Sequence, residues 1–377
     1  MSRPHRILAL LAALALLLAA CGEEVDEAEE QDDGEPAADE PAGDEDDETD
    51  GDEDDGSGAE ADEASAEATA VGEGVSAVAP VFPLSWVAEQ VAPAADVHLL
   101  TDQGEDPHDI ELSPRGRERL ETSDILLYMG DIDFQPQVET AAEAAQGETV
   151  SFADVVGEGT LRQWGDDEDD DHAHDDGDDD HAHDDEEEDD HAHDDDGDGS
   201  TYDPHAWFDP AAMAVVTEEI GEAFAATDPE DAEDYRANAA TLAEEFLALD
   251  ERMAETLGGS CEHDYVVVSH EAYAYLLEPF GYDQQGVSGA GGHGPASPQR
   301  IAELVDMIEE DGIEYVLTEP LEGREDAEAV AREAGDVELL EVYSFGVVDD
   351  AQLFEEEGFM SLLREQIDVT ATALGCE

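Results

Sequence analysis

Short apolar runs alternate with helical segments in two parts of this chain, and this alternation limits the folds that it can adopt. The runs are VSAVAPV, DVHLLT, DILLYMG and ETVSFADV in the first part, and DYVVVSH, IEYVLTEP and VELLEVYSF in the second. Strands buried on both faces read as continuous apolar runs, and parallel strands need a crossover helix between them. The pattern predicts an α/β protein with two α/β lobes, each built on a parallel-rich sheet.

Two long amphipathic segments separate these parts. The second opens at Asp228–Pro229 and stops at Gly258–Gly259, which are favourable start and stop signals for a helix. About 28 residues at 1.5 Å each make a rod on the order of 40 Å long. We predict a rigid backbone helix over 229–258 that joins an N-terminal lobe to a C-terminal lobe; the lobes are 74–165 with 200–228, and 259–377.

Two stretches contain almost no large apolar residue and cannot bury a core. Residues 22–73 hold 26 Asp or Glu, and residues 166–198 hold 22. The composition predicts an acidic disordered tether over 21–73. It also predicts an acidic, His-rich disordered insert over 166–199.

The formal net charge is −96, and all 12 basic residues are arginine. Sixty acidic residues lie outside the two stretches, so the folded body is itself acidic. Nucleic acid is excluded as a partner because its phosphates would be repelled. An acidic surface without lysine indicates a halophilic host, in which salt screens the self-repulsion.

The first 20 residues carry Arg3 and Arg6 and then an apolar run that is too short at its flanks for a permanent membrane span. The run ends in LAAC, which resembles a bacterial lipobox, where cleavage leaves the cysteine as a lipid-carrying N-terminus. We predict a signal peptide over 1–20 and an extracytoplasmic protein anchored to the cell membrane by lipid at Cys21. An ordinary signal peptide with an incidental cysteine is the alternative.

Two cysteines remain once Cys21 carries lipid. In an oxidising compartment, Cys261 and Cys376 are expected to form a disulfide that fixes the chain end to the start of the C-terminal lobe. A pair of free thiols is the alternative.

Three histidines lie in loops that flank predicted strands and helices. His108 follows the strand DVHLLT, His270 ends the strand DYVVVSH, and His205 lies in the irregular segment DPHAWFDP just before a helix. Ligands of open α/β sheets bind outside the carboxyl ends of the strands, so these side chains could converge between the lobes. Three neutral imidazoles with one open position suit zinc.

The motifs PHDIELSP, DPHAWFDP, VVVSHEAYAYL and MGDIDFQPQVE resemble the cluster A-I solute-binding proteins of metal ABC transporters, in particular the zinc-binding type. The resemblance covers nearly all of residues 75–377. It implies two α/β lobes joined by a rigid helix, with the metal held in the cleft between them. It also implies capture of Zn²⁺ for an ABC permease by a protein acting as a monomer, with His108, His205 and His270 as ligands.

The resemblance leaves the fourth ligand open. Manganese-type relatives have two histidines and two carboxylates, whereas Phe345 stands here where one carboxylate would be needed and His270 stands where those relatives have Glu. Both departures favour zinc, although manganese or iron remains the alternative cargo. Water, Glu319 or His293 could complete the tetrahedron. His98 and His263 are interpreted as structural.

The insert contains the cassette DDDHAHDD twice and EDDHAHDD once. Each HAH places two imidazoles on the same side of an extended segment, with carboxylates on both flanks. In the resembling family a His-rich loop lies between the first two metal histidines, as it does here. We interpret the cassettes as an auxiliary loop that captures metal, the alternative being an acidic spacer; the histidines are His172, His174, His181, His183, His191 and His193.

Two other classes of function are open to such a chain. A zinc hydrolase would also use three histidines and an open position, but the sequence has no HExxH and no obvious nucleophile. We therefore predict that the chain is not an enzyme. A surface adhesin or extracellular metal buffer is the second class, which the long acidic tether would suit.

Overall fold

The N-terminal half of the chain folds around a four-stranded parallel sheet in the order β2-β1-β3-β4. Its strands are β1 (Ser76–Ala79), β2 (Asp96–Leu99), β3 (Ile125–Tyr128) and β4 (Glu148–Ser151). The helices between and after them are α1 (Phe82–Val91), α2 (Pro114–Thr122), α3 (Pro136–Ala142) and α4 (Phe152–Val156). This computed structural model describes residues 71–101, 104–163, 202–288, 296–335, 337–348 and 358–376.

The C-terminal half repeats the arrangement with a second parallel sheet, in the order β6-β5-β7-β8. Its strands are β5 (Tyr265–Val268), β6 (Asp283–Gly286), β7 (Tyr315–Thr318) and β8 (Glu338–Glu341). The helices are α7 (Ala274–Leu277), α8 (Pro298–Asp311), α9 (Arg324–Ala334) and α10 (Gly358–Leu374). The predicted fold class, two α/β lobes with parallel sheets, is confirmed.

Two long helices connect the lobes. Helix α5 (Pro210–Thr227) is followed by α6 (Ala232–Leu257), the longest helix of the described residues. The two pack closely enough that a Cβ on Gly221 would lie 2.5 Å from the Cβ of Ala239. Helix α6 also contacts α1 in the first lobe and α10 in the second. The backbone helix predicted over 229–258 therefore has a physical basis, since α6 buries one apolar face against both lobes.

The chain departs from the sequence patterns at two elements of the second lobe. Strand β6 carries Asp283, Gln284, Gln285 and Gly286, so no apolar run indicated it. It is the edge strand beside β5, where polar side chains are tolerated. The helix expected over EAYAYLLEPFG is shortened to α7 and a single 3₁₀ turn, Glu278–Phe280, because the proline inside that turn has no main-chain N–H to continue α-helical hydrogen bonding.

A disulfide joins Cys261 to Cys376, 115 residues apart in sequence. It links the segment after α6 to the end of α10, as expected from the cysteine count. The main-chain N–H groups of Glu262 and His263 also donate to the carbonyl of Leu374, 3.0 Å away in both cases. The end of the chain is therefore held to the C-terminal lobe by both covalent and hydrogen bonds.

None of the helices among the described residues combines the length and the apolar composition needed to span a bilayer. The predicted signal peptide, Cys21 and the acidic tether up to residue 70 lie outside the described residues. The acidic insert and His293 also lie outside them.

Replacing both disulfide cysteines by serine is expected to destabilise the protein by about 2–5 kcal/mol, since the cross-link closes a long loop in the unfolded chain. Urea unfolding of the variant and of the parent, each with and without reductant, would measure this. The parent in reductant should match the variant. Equal stability of the oxidised parent and the variant would contradict the structural role of the bond.

Candidate metal centre

The three predicted histidines meet where the two lobes face each other. His108 lies in a 3₁₀ turn, Pro107–Asp109, in the connection after β2. His270 lies two residues beyond the end of β5. His205 directly precedes the 3₁₀ turn Ala206–Phe208, which leads into α5. His108 and His270 thus follow the carboxyl ends of strands in different sheets, where ligands of open α/β sheets bind.

The turn that carries His108 is fixed by Asp106. Its carboxylate accepts the main-chain N–H of His108 at 2.8 Å, and Pro107 supplies the first residue of the turn. The imidazole packs edge-on against Phe134, with ring centroids 4.7 Å apart. Gln135 donates from its side-chain amide to the carbonyl of Pro107 at 2.9 Å. The half-buried His108 ring is therefore held by a capped turn and an aromatic neighbour.

His205 is oriented by the carboxylate two residues before it. One oxygen of Asp203 accepts both the main-chain N–H of His205 at 2.9 Å and its ring Nδ1–H at 2.7 Å. Both residues are buried. Burial raises the pKa of Asp203 to about 7, against the opposing effect of the His205 N–H and of the nearby histidines. The contact at Nδ1 leaves the Nε2 lone pair of His205 directed towards the cleft.

His270 is oriented in the same way by a carboxylate from the neighbouring strand. Its Nδ1 lies 3.3 Å from Oε1 of Glu319, which follows β7, and both side chains are buried. Its Nε2 is buried and has no hydrogen-bond partner among the described residues. A buried nitrogen in that situation costs free energy unless something binds it, so Nε2 is a ready ligand atom.

The ring nitrogens of these histidines converge on one point. Nε2 of His108 and Nε2 of His205 are 3.5 Å apart, and one nitrogen of each of the three rings lies within 4.8 Å of the others. Two ligand nitrogens on a tetrahedral zinc ion are about 3.3 Å apart, given Zn–N bonds of about 2.0–2.1 Å. The cluster therefore has the donor atoms and nearly the spacing of a three-imidazole metal site.

Glu319 is the centre of the hydrogen-bond network behind His270. Its Oε1 also accepts the hydroxyl of Tyr273 at 3.0 Å, and its Oε2 accepts the main-chain N–H of Ser344 at 3.1 Å. Burial would raise the pKa of Glu319, but the hydrogen bond and charge of His270 hold that pKa below its ordinary value. Both oxygens of Glu319 therefore already have hydrogen-bond partners in the protein.

A second carboxylate, Glu322, lies on the same side of the ring, with Oε2 3.7 Å from Nδ1 of His270. Burial raises the pKa of Glu322 to about 7, although the charge of His270 opposes the shift. Burial would lower the pKa of His270, but its contact with Glu319 and the charge of Glu322 raise that pKa to about 9. Without metal, His270 is therefore protonated at neutral pH and paired with Glu319.

The loop after β8 closes the network from the second lobe. The carbonyl of Ser344 accepts the indole N–H of Trp207 at 2.8 Å, which ties this loop to the segment that carries His205. Phe345 is buried against Phe208 and Phe359 and has φ 62°, a left-handed conformation that bulky residues rarely adopt. Its ring thus packs in the aromatic core between the lobes.

Comparison with known proteins agrees with this architecture. The profile of the family described as zinc-uptake complex component A, periplasmic, matches residues 77–373. The chain belongs to this family. The resemblance inferred from the motifs is thereby confirmed.

Individual relatives of known function share less than a third of their aligned residues with this chain. The zinc-binding lipoprotein AdcA of Streptococcus pneumoniae is 26% identical over 259 residues, 68% of this chain and 48% of the relative. The iron-binding protein YfeA of Yersinia pestis is 29% identical over 46% of this chain and 55% of that protein. The chain thus spans about half the length of the curated relatives it matches.

A solved structure shows the same fold. The Zn(II)-bound ZnuA-like domain of Streptococcus pneumoniae AdcA aligns over 80% of this chain and 99% of that domain, with a TM-score of 0.60 and 20% identity. At this identity the likeness supports the two-lobe fold alone.

The structure brings together the three histidines that the sequence singled out, but most of the groups behind them were missed. Asp203 had a local signal, because it lies two residues before His205 in DPHAWFDP and can accept the N–H groups of that residue. Tyr273, Glu322 and Ser344 had none, since their contacts with His270 or Glu319 join residues far apart in the chain. His98 lies in β2 and His263 lies beside the disulfide, both away from the cluster.

The metal-free protein is expected to show a His270 imidazole that titrates near pH 9. Glu319→Gln should lower this pKa strongly, because the carboxylate that favours the protonated ring is lost while burial remains. NMR titration of ¹⁵N-histidine-labelled protein would measure both values, with Glu245→Gln on the exposed face of α6 as the control. An unchanged His270 titration in Glu319→Gln would refute the pairing.

Proposed function

We propose that this chain is the extracytoplasmic zinc-binding component of an ABC uptake system. It captures Zn²⁺ in the cleft between its lobes and delivers the ion to a permease in the membrane. The observation that carries the proposal is the convergence of three imidazoles, with Nε2 of His270 buried and unpartnered among the described residues. Family membership supports the same function.

In this proposal His108, His205 and His270 bind zinc through their Nε2 atoms. Asp203 and Glu319 act on the opposite nitrogens, where such carboxylates fix the tautomer and strengthen the ligand. Glu319 was also a candidate fourth ligand, but its oxygens accept hydrogen bonds from Tyr273 and Ser344 as well as from His270. We therefore assign it the orienting role and leave the fourth position to water.

The donor set favours zinc over manganese or iron as the cargo. Three nitrogens and one water suit a tetrahedral d¹⁰ ion, whereas manganese prefers oxygen ligands. Phe345 stands where manganese-type relatives would need a carboxylate, and its phenyl ring, packed against Phe208 and Phe359, has no oxygen to offer. The relatives include both a zinc-binding and an iron-binding protein, so the choice of zinc rests on the donor atoms.

The acidic insert is proposed as an auxiliary capture loop. Its six cassette histidines and the flanking carboxylates offer ligands for several zinc ions. Gln163 and Tyr202, the last described residue before the insert and the first after it, form an antiparallel bridge. Asp203, which orients His205, follows directly. Ions held by the loop would therefore be released close to the cleft.

Anchoring and docking complete the proposal. A lipid at Cys21 would hold the protein on the outer face of the cell membrane, with the acidic tether giving it reach. The protein would act as a monomer and present its acidic surface to arginines of the permease. No catalytic step is needed, because uptake and release of the ion involve only ligand exchange.

Calorimetric titration of Zn²⁺ and Mn²⁺ into the chain from Val71 onward, at high salt, tests the function. The parent should show one tight zinc site and weak manganese binding. A variant lacking 166–198 should keep the tight site and lose the weaker sites. The triple variant His108→Ala/His205→Ala/His270→Ala should lose the tight site while its weak sites remain.

Tight binding that disappears with the insert, and survives the triple substitution, would reject the cleft as the main site. Tighter manganese than zinc binding would instead reject the cargo assignment. Circular dichroism of each variant establishes that the two lobes remain folded.

Zinc affinity is expected to begin falling at a higher pH than it would with histidine ligands of ordinary pKa. Zinc needs the neutral imidazole, so at any pH below about 9 it must displace a proton from His270. The affinity should therefore fall about tenfold per pH unit below that value for each proton released. An affinity that is flat down to about pH 6.5, the ordinary histidine pKa, would contradict this expectation.

A further inference from the structure

The hydroxyl of Tyr275 occupies a buried position between the lobes. Tyr275 lies in α7 of the second lobe and is buried. Its O–H donates to the main-chain carbonyl of Asp203 at 2.9 Å, and its oxygen accepts the main-chain N–H of Arg162, also at 2.9 Å. One oxygen atom of the C-terminal lobe thus satisfies two main-chain groups of the N-terminal lobe.

Those two main-chain groups lie on either side of the insert. Arg162 precedes it and Asp203 follows it, and the N–H of Asp203 donates to the carbonyl of Arg162 at 2.9 Å. Gln163 and Tyr202 form the adjoining bridge. The two ends of the insert therefore form a short antiparallel ladder, and the hydroxyl of Tyr275 closes it from the opposite lobe.

The side chain of Arg162 reinforces the same contact. Its guanidinium lies over the ring of Tyr275, 5.4 Å from the centroid, and pairs with the carboxylate of Glu278. Arginine over an aromatic face is attracted by the π-electrons of the ring, which fixes the orientation of both side chains. The ladder is therefore held to α7 by one ring, one hydroxyl and one ion pair.

The ladder leads directly to the metal cluster. Asp203 receives the hydroxyl of Tyr275 at its main-chain carbonyl, while its carboxylate holds the Nδ1 of His205. A shift of this main chain would move the carboxylate and turn the ring of His205. The hydroxyl of Tyr275 bonds to the main chain of Asp203, and Asp203 in turn holds the ring of His205, so the effect of this hydroxyl on the ring passes through Asp203.

We propose that Tyr275 is a positioning residue that couples closure of the two lobes to the orientation of His205. Its hydroxyl bonds to Arg162 and Asp203 only when the second lobe lies against the insert ladder, and only then does it fix Asp203 behind the imidazole. Contact between the lobes thus completes the zinc site, and separation of the lobes loosens it. The inference rests on the proposed function, in which His205 is a zinc ligand.

Tyr275→Phe in the full-length chain isolates the hydroxyl, because it removes one oxygen and keeps the ring under Arg162. Tyr282→Phe is a matched control: its buried hydroxyl also donates to a main-chain carbonyl, that of Gly259 at 3.0 Å, but it lies beside the disulfide. His205→Ala reports whether the assigned ligand binds zinc at all.

Three quantities are measured for each variant. They are zinc affinity by competition with a chelator, the visible absorption of one equivalent of Co²⁺, and the thermal midpoint of the metal-free protein. Tyr275→Phe is expected to weaken zinc binding about tenfold, as loss of a supporting partner of a ligand does, and to change the cobalt spectrum. Tyr282→Phe should lower the thermal midpoint but leave affinity and spectrum as in the parent.

Unchanged affinity and spectrum in Tyr275→Phe, with a lowered thermal midpoint, would show a merely structural hydroxyl and overturn the inference. Weakened binding with an unchanged cobalt spectrum would overturn it too, because the geometry at His205 would then be unaffected. Parent-like affinity in His205→Ala would reject the ligand assignment of the proposed function. If His205→Ala loses tight binding and Tyr275→Phe does not, the role of Tyr275 is rejected while the zinc site itself stands.

Discussion

The carboxylates buried behind the imidazoles are the interaction on which the rest of the site depends. Asp203 and Glu319 are almost fully buried, and burial by itself disfavours their charged forms. Each is stabilised by N–H or O–H donors and by the imidazole that it holds. A divalent cation on the far side of the rings would supply further positive charge, so the network is arranged for a state in which a cation is bound.

Neither lobe contains the site by itself. His108 and His205 belong to the first lobe and His270 to the second, and the contacts that cross the cleft are main-chain hydrogen bonds as much as side-chain packing. Gly104 donates to the carbonyl of Val348 at 3.1 Å, and Trp207 donates to that of Ser344. The long helix α6 keeps both sheets on one stiff support, so small rotations of one lobe suffice to change these bonds.

Features that depend on local sequence patterns could be predicted, whereas contacts between residues far apart in the chain could not. The two lobes and α6 follow from apolar periodicity, and the rule that ligands bind outside the carboxyl ends of strands singled out His108 and His270. Strand β6 was missed because an edge strand with two glutamines has no apolar signature. The network of Glu319 was missed because its partners Tyr273 and Ser344 lie in two connections other than its own, far away in sequence. Local patterns describe elements, whereas hydrogen bonds between loops depend on the assembled fold.

The charge of the chain bears on how an ion would reach the cleft. The ion pairs of Arg236 with Glu222 and of Arg252 with Asp368 are exposed, and such pairs contribute little free energy. At about 1 M salt the screening length is roughly 3 Å, so the acidic surface attracts zinc only at short range. Coordination by neutral imidazole does not depend on that range. If the insert captures metal as proposed, its histidines would keep that capture effective at high salt, which carboxylates alone would not do.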